Sequence, residues 1–125
     1  MRNIGLLALA ALIFVAPATA ALGDMNVATF LAKADKLEKR GVAALLSSDL
    51  QKLKREVEAS AEAYTARIKA DEAAGRAPHS CPPKGKKSLS SDQFLTHLRS
   101  YPAARRSSTT IKVAFADLMK KRFPC

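Results

Sequence analysis

The sequence predicts a small all-α domain of about four helices, one of them long, which carries one disulfide and follows a cleaved signal peptide. Two observations lead to this fold class. Apolar residues recur three and four positions apart along most of the chain after Ala20, which is the spacing of one face of an α-helix. No run of β-branched residues alternates with polar residues, so the sequence offers no candidate strand.

The first twenty residues have the layout of an export signal. Arg2 gives a positive start, Ile4 to Ala16 forms an uncharged and mostly apolar run, and Ala18-Thr19-Ala20 supplies the small residues that a signal peptidase recognises. The apolar run has about 13 residues, whereas a membrane-spanning helix needs roughly 20. We therefore expect cleavage after Ala20, a single domain formed by residues 21–125, and a periplasmic or secreted location.

The first predicted helix begins after Asn26 and ends at Gly41. An asparagine side chain can accept a hydrogen bond from the first turn of a helix, and glycine suits the position after the last turn. Between these two residues, apolar side chains recur at helical spacing and form one stripe that we expect to face the core. The stripe consists of Val27, Phe30, Leu31, Ala34 and Leu37.

A second apolar stripe extends from Val42 to Ile68 and predicts the longest helix. Two interpretations fit it: a short helical turn over 42–47 followed by a helix over 49–74, or one continuous helix that begins at Val42. Ser48 to Gln51 has the pattern of a capping box. At 1.5 Å per residue the 49–74 helix would be about 39 Å long. Because three shorter helices would have to cover its stripe, we expect a homodimer.

A loop and a third helix follow. Residues 75–90 are rich in proline and glycine, and the Pro82-Pro83 pair prevents a helix from continuing. Ser90 and Gln93 have the spacing of a capping box, which predicts a helix beginning there. That helix should stop at Tyr101-Pro102, because the residue before a proline disfavours the helical conformation.

The last predicted helix follows a polar link, residues 103–108. Thr109 or Ser108 is the expected N-cap, and Phe123-Pro124 ends the helix. Its apolar residues again recur at helical spacing. They are Ile111, Ala114, Phe115, Leu118 and Met119.

The chain contains two cysteines, Cys81 and Cys125, and both lie after the export signal. An even number of cysteines in a small exported chain predicts one disulfide. It would close the loop formed by residues 81–125. In the chain-entropy model such a loop stabilises the folded state by about 4 kcal/mol.

Positive charge is concentrated in the second half of the domain. Residues 21–75 contain nine Lys/Arg and nine Asp/Glu, whereas residues 76–125 contain eleven Lys/Arg and two Asp/Glu, a net charge of +9. Such a field attracts acidic partners. Export argues against nucleic acid, so acidic proteins and anionic envelope lipids or glycans are the expected partners. The candidate partner-binding residues are Lys84, Lys86, Lys87, Arg105 and Arg106.

No catalytic signature is present in the sequence. There is neither a G-x-S-x-G nucleophile motif nor a glycine-rich phosphate loop. His79 and His97 are the two histidines, and a zinc site at His79 would need Cys81, which a disulfide removes as a ligand. We therefore expect no enzymatic activity, no catalytic residue, no metal site and no cofactor.

The second half of the chain resembles the Rap/Tai family of periplasmic immunity proteins of type VI secretion systems. The resemblance rests on Ser80-Cys81-Pro82-Pro83, the segment from Leu89 to Tyr101-Pro102, and the last helix ending in Phe123-Pro124-Cys125. Cys81 and Cys125 match the family's late cysteine pair. The resemblance implies an all-helical, disulfide-bridged domain that binds and blocks a toxic effector, often as a homodimer.

Two alternative functions stay open at this point. A weaker resemblance to the HdeA-like acid-stress chaperones would imply a protein that exposes apolar surface at low pH and holds unfolded clients. The basic half would also suit a protein that binds polyanions of the cell envelope, and such binding would weaken with salt.

Overall fold

Helices account for most of the chain in a computed structural model that describes residues 21–84 and 89–125. The predicted signal peptide lies outside the described residues. The elements are α1 (Val27–Arg40), a 3₁₀ turn (Gly41–Leu46), α2 (Ser48–Ala73), α3 (Ser91–Arg99), α4 (Ala103–Arg106) and α5 (Ile111–Arg122). Within the described part of the chain there is no strand, only an isolated bridge between Asn26 and Thr110. The all-α prediction with one long helix is confirmed.

The corner between α1 and α2 shows that the second stripe forms a short helical turn followed by a separate long helix, which is the first of the two interpretations. Gly41 ends α1 with φ 59° and donates its backbone N–H to the carbonyl of Glu38. A 3₁₀ turn follows, and Ser47 in extended conformation separates it from α2. The Ser47 hydroxyl accepts from Asp49 N at 3.2 Å. The predicted capping box with Ser48 as its first residue is therefore wrong by one position.

The caps of the later helices are partly as predicted. The capping box of α3 is confirmed, because Gln93 N donates to Ser90 Oγ at 3.1 Å and Ser90 N donates to Gln93 Oε1 at 3.1 Å. The N-cap of α5 is Thr110, not Thr109 or Ser108. Thr109 is instead buried, with its hydroxyl donating to the carbonyl of Arg105. The predicted polar link contains one helical turn, α4.

The core forms where α1, α2, α3 and α5 meet. Phe30 packs edge-on against Phe94 with ring centroids 5.8 Å apart, and Phe115 lies 6.0 Å from the Tyr64 ring. Aromatic pairs in this geometry gain stability beyond the area that they bury. Every predicted stripe residue of α1 and α5 is buried, and Leu98 of α3 is fully enclosed.

The predicted stripe of α2 is covered mainly by the domain itself. Leu53 and Tyr64 are buried, and Leu50, Val57 and Ile68 are half-buried against the core. The long helix thus leaves less of its apolar surface uncovered than its length implies. The homodimer stays a prediction. In residues 21–84 and 89–125, no helix combines the length and apolar character that a membrane crossing requires.

A buried carboxylate fixes the segment that precedes α1. Glu56 of α2 accepts from the backbone N–H of Gly23 at 2.6 Å and of Met25 at 3.3 Å. The carbonyls of Met25 and Gly23 in the same segment accept hydrogen bonds from the backbone N–H groups of Ile111 and Lys112, respectively, at the start of α5. Gly23 has φ 91°, and a Cβ there would lie 2.7 Å from Lys112 Cγ. A side chain at position 23 would therefore be strained and displace Lys112.

We expect Glu56→Ala to lower the free energy of unfolding by about 1–3 kcal/mol, because it leaves buried backbone N–H groups without an acceptor. Glu58→Ala is the matched control, since Glu58 is exposed on the same helix. Urea unfolding followed by circular dichroism measures both. Equal unfolding midpoints for the two variants would contradict this role of Glu56.

Candidate functional site

The predicted disulfide is confirmed and lies at the end of α5. Cys81 and Cys125 are bonded, with their Cα atoms 4.9 Å apart. Next to the bond, Cys81 N donates to the carbonyl of Phe123 at 2.8 Å. The segment that follows α2 is therefore joined to the end of α5 by one backbone hydrogen bond and by the disulfide.

A cleft of about 430 Å³ opens beside that last turn and is called here the basic cleft. It lies between the end of α3, α4 and the C-terminal half of α5. Three of its lining side chains are cations and one is a carboxylate. The lining residues are His97, Ser100, Tyr101, Pro102, Arg105, Asp117, Lys120 and Lys121.

The one carboxylate of the basic cleft is already engaged. The Tyr101 hydroxyl donates to Asp117 Oδ2 at 2.5 Å. Burial and this carboxylate together raise the pKa of Tyr101 well above its ordinary value, so the phenol stays protonated and continues to donate. Asp117 therefore has reduced capacity to pair with a lysine across the cleft.

His97 lies at the back of the cleft in its neutral form. It is 7% exposed, and its Nε2–H donates to the carbonyl of Ala114 at 2.9 Å. Burial lowers the pKa of His97, and the nearby Lys121 lowers it further, while the bond to Ala114 and the charge of Asp117 act in the opposite direction. The positive charges that face the cleft at neutral pH are therefore Arg105, Lys120 and Lys121, and Asp117 is its one negative charge.

Five acidic residues of the domain are paired with cations outside the cleft. Among the described residues, no carboxylate lies within ion-pair distance, 4.0 Å, of Arg105, Lys120 or Lys121. The ion pairs that form are Lys33–Asp49, Arg76–Asp71, Arg99 with Asp35 and Glu38, and Lys112–Asp24. The three cleft cations are exposed, so they are free to attract an external anion.

The structure brings only part of the predicted partner-binding set to this cleft. Arg105 lines it, and Lys84 is exposed on the loop after the disulfide. Lys86 and Lys87 lie outside the described residues. Arg106 is half-buried and donates to the carbonyls of Tyr101 at 3.0 Å and Arg99 at 2.9 Å. Its guanidinium therefore fastens the end of α3.

Two cleft residues, Lys120 and Lys121, were not among the predicted binding residues. Cations are favourable in the last turn of any helix, so their position in α5 does not by itself indicate a binding site. The sequence indicates the opposite, because Asp117 precedes them by three and four residues, which is the spacing of ion pairs on one helix face. Tyr101, the partner of Asp117, lies two residues after the end of α3, and sequence spacing alone does not show that contact.

A second polar cluster joins the loop before Cys81 to α2. The buried Tyr64 hydroxyl lies 3.0 Å from His79 Nδ1 and hydrogen-bonds to the Ser80 hydroxyl. Ser80 is 1% exposed, so its oxygen is not accessible to a substrate. Among the described residues, no three His, Cys, Asp or Glu side chains are placed to hold a metal ion. The cluster anchors the loop.

In comparisons with known proteins, no protein-family model, curated protein or solved structure matches this chain.

Proposed function

We propose that this chain is an exported, non-catalytic binding domain that docks an acidic protein on the basic cleft. The observation that carries the proposal is the convergence of Arg105, Lys120 and Lys121 on one concave surface whose only carboxylate is held by Tyr101. The resemblance of the second half to Rap/Tai immunity proteins supports the same class of function, in which the partner would be a toxic effector.

The surroundings of the cleft support binding with little loss of conformational freedom. Arg106 fastens the end of α3 to α4, and the Cys81–Cys125 bond fixes the last turn of α5. A surface that is already ordered loses less entropy on association than a flexible one. Carboxylates of the partner would enter the cleft, and the domain would block whatever surface carries them. No cofactor is required.

Site-specific photo-crosslinking in the exporting cell tests the proposal. A photoreactive amino acid at Ser100, an exposed residue of the cleft, should form an adduct with an acidic protein. The control position is Ala66, which is exposed on α2 outside the cleft. An adduct that forms only from Ala66, or a basic protein captured from both positions, would contradict docking at the cleft.

An acid-stress chaperone is the second candidate function, and the two histidines favour it. Burial lowers the pKa of His97 in the core and of His79 beside Tyr64. Protonation of a buried histidine therefore lowers the free energy of unfolding, because the charged ring is hydrated in the unfolded chain but not in the folded domain. Low pH would loosen the packing of α3 on α5, as expected for a chaperone of this kind. Client holding at acid pH, without binding of an acidic partner at neutral pH, would favour this candidate.

We expect the stability of the domain to decrease as the pH falls through and below the ordinary pKa of histidine, about 6.5. The folded-state pKa values of His97 and His79 lie below the ordinary value, so the unfolded chain takes up protons first. The contribution of the two neutral histidines to stability is complete above the unfolded-state pKa, and it is lost as the pH falls towards the folded-state pKa values. Urea unfolding across this range should show a shallower dependence in His97→Gln than in the wild type. An unchanged dependence would contradict the assignment to His97.

A further inference from the structure

The 3₁₀ turn between α1 and α2 exposes three large apolar side chains next to one another. Val42 is 83% exposed, Leu45 67% and Leu46 95%; these three residues are called here the apolar tip. Single exposed apolar residues are ordinary on protein surfaces, but a contiguous group marks an interaction site. No other described part of the chain has three such residues within five positions.

The apolar tip is a built feature of the corner. Ala44 at its centre is buried, and Ser47 N donates to the Ala44 carbonyl at 2.9 Å. In a 3₁₀ turn the residues three positions apart lie on the same side, so Val42 and Leu45 project together, and Leu46 follows. The turn therefore presents its large side chains outward, while Ala44 packs into the core.

The end of α1 next to the apolar tip carries two cations. Lys39 and Arg40 directly precede it in the last turn of α1, and both are exposed. In the described chain, neither has a carboxylate within 4.0 Å. The acidic residues nearest in sequence are already engaged: Arg99 holds Asp35 and Glu38, and Lys33 holds Asp49 at 3.1 Å.

We propose that the apolar tip inserts into an anionic lipid leaflet, with Lys39 and Arg40 contacting the headgroup phosphates. An interfacial site gains affinity from apolar burial and from attraction to anionic lipid, and this corner offers both together. A second copy of the chain is the less favourable occupant, because two tips in contact would bring their Lys39 and Arg40 side chains together. The tip shares no residue with the basic cleft, so each proposal stands or fails separately.

A tryptophan placed in the tip reports insertion directly, because the chain contains no tryptophan. The fluorescence of Leu46→Trp should shift to the blue with vesicles of phosphatidylglycerol and phosphatidylcholine, and brominated acyl chains should quench it. Val113→Trp is the control, since Val113 is an exposed apolar residue on α5. No shift in Leu46→Trp, or equal shifts in both variants, would overturn the proposal.

Vesicle co-sedimentation separates the tip from other surfaces. Leu45→Ser/Leu46→Ser should weaken binding to the same anionic vesicles by at least about tenfold, because it removes most of the inserted apolar area. Lys39→Gln/Arg40→Gln should also weaken binding, whereas Arg67→Gln/Lys69→Gln, a matched loss of two exposed cations, should not. Binding that depends on Arg105, Lys120 and Lys121 instead would overturn the proposal. So would conversion of a lipid-free dimer to a monomer by the serine variant.

Discussion

Replacing Cys125 with serine is expected to lower the free energy of unfolding by about 2–5 kcal/mol. The bond between Cys81 and Cys125 closes a loop that contains α3, α4 and α5. Without it, the unfolded chain gains conformational freedom, worth about 4 kcal/mol in the chain-entropy model. Because small domains are stable by only about 5–15 kcal/mol, this is the largest single loss that we expect.

Urea unfolding of the oxidised wild type, the reduced wild type and Cys125→Ser measures the effect. Reduction and substitution should lower the unfolding midpoint by a similar amount. The double variant Cys81→Ser/Cys125→Ser should behave like the single variant and should not respond to reductant. A reduced protein that unfolds at the same urea concentration as the oxidised one would contradict a stabilising role for the bond.

Reversing the three cleft cations, Arg105, Lys120 and Lys121, to glutamate should slow association with an acidic partner by about tenfold or more. Exposed charges act mainly on the rate of encounter, so the dissociation rate should change less. The effect should shrink at high salt, which screens exposed charges. The fold should persist, because exposed charges contribute little to stability. Stopped-flow or surface-based kinetics with the crosslinked partner measures these rates.

The matched control separates the location of the charges from their sum. Lys36, Arg55 and Lys69 are exposed cations that do not line the cleft. Their reversal to glutamate changes the net charge by the same amount and should slow association much less. Equal slowing by the two triple variants would mean that net charge alone, and not the cleft, attracts the partner.

The loop that the sequence indicated is tested in the same assay. Reversal of Lys84, Lys86 and Lys87 to glutamate examines the predicted loop contribution independently of the cleft. Slowing comparable to that of the cleft variant would show that the docking surface extends onto the loop. An effect no larger than that of the matched control would remove the loop lysines from the docking surface.

The helices could be predicted from the sequence because they depend on local patterns. The stripes of α1 and α5 and the capping box of Ser90 and Gln93 are found as predicted. The misplaced caps occur where adjacent hydroxyl residues offer equivalent oxygens, as at Ser47-Ser48 and Thr109-Thr110. Local chemistry does not distinguish such neighbours. The extended backbone of the residue that begins the helix selects between them.

The basic cleft could be predicted only in part, because it depends on how α3 crosses α5. The contacts that set this crossing, His97 to Ala114 and Tyr101 to Asp117, join residues far apart in the sequence. They place Lys120 and Lys121 opposite α4. Arg106 shows the converse, because its guanidinium meets carbonyls at the end of α3, and a charge pattern cannot show that. Net charge indicated the half of the domain that contains the cleft, and packing determined which cations line it.

An NMR titration of the isotopically labelled domain with a polyglutamate peptide tests docking at the basic cleft most directly, since it requires no knowledge of the natural partner. If the cleft is the docking surface, the amide signals of Arg105, Lys120, Lys121 and their neighbours should shift together and saturate, and the glutamate triple variant should lose these shifts. Shifts distributed evenly over all exposed lysines and arginines, or unchanged in the triple variant, would contradict docking at the cleft.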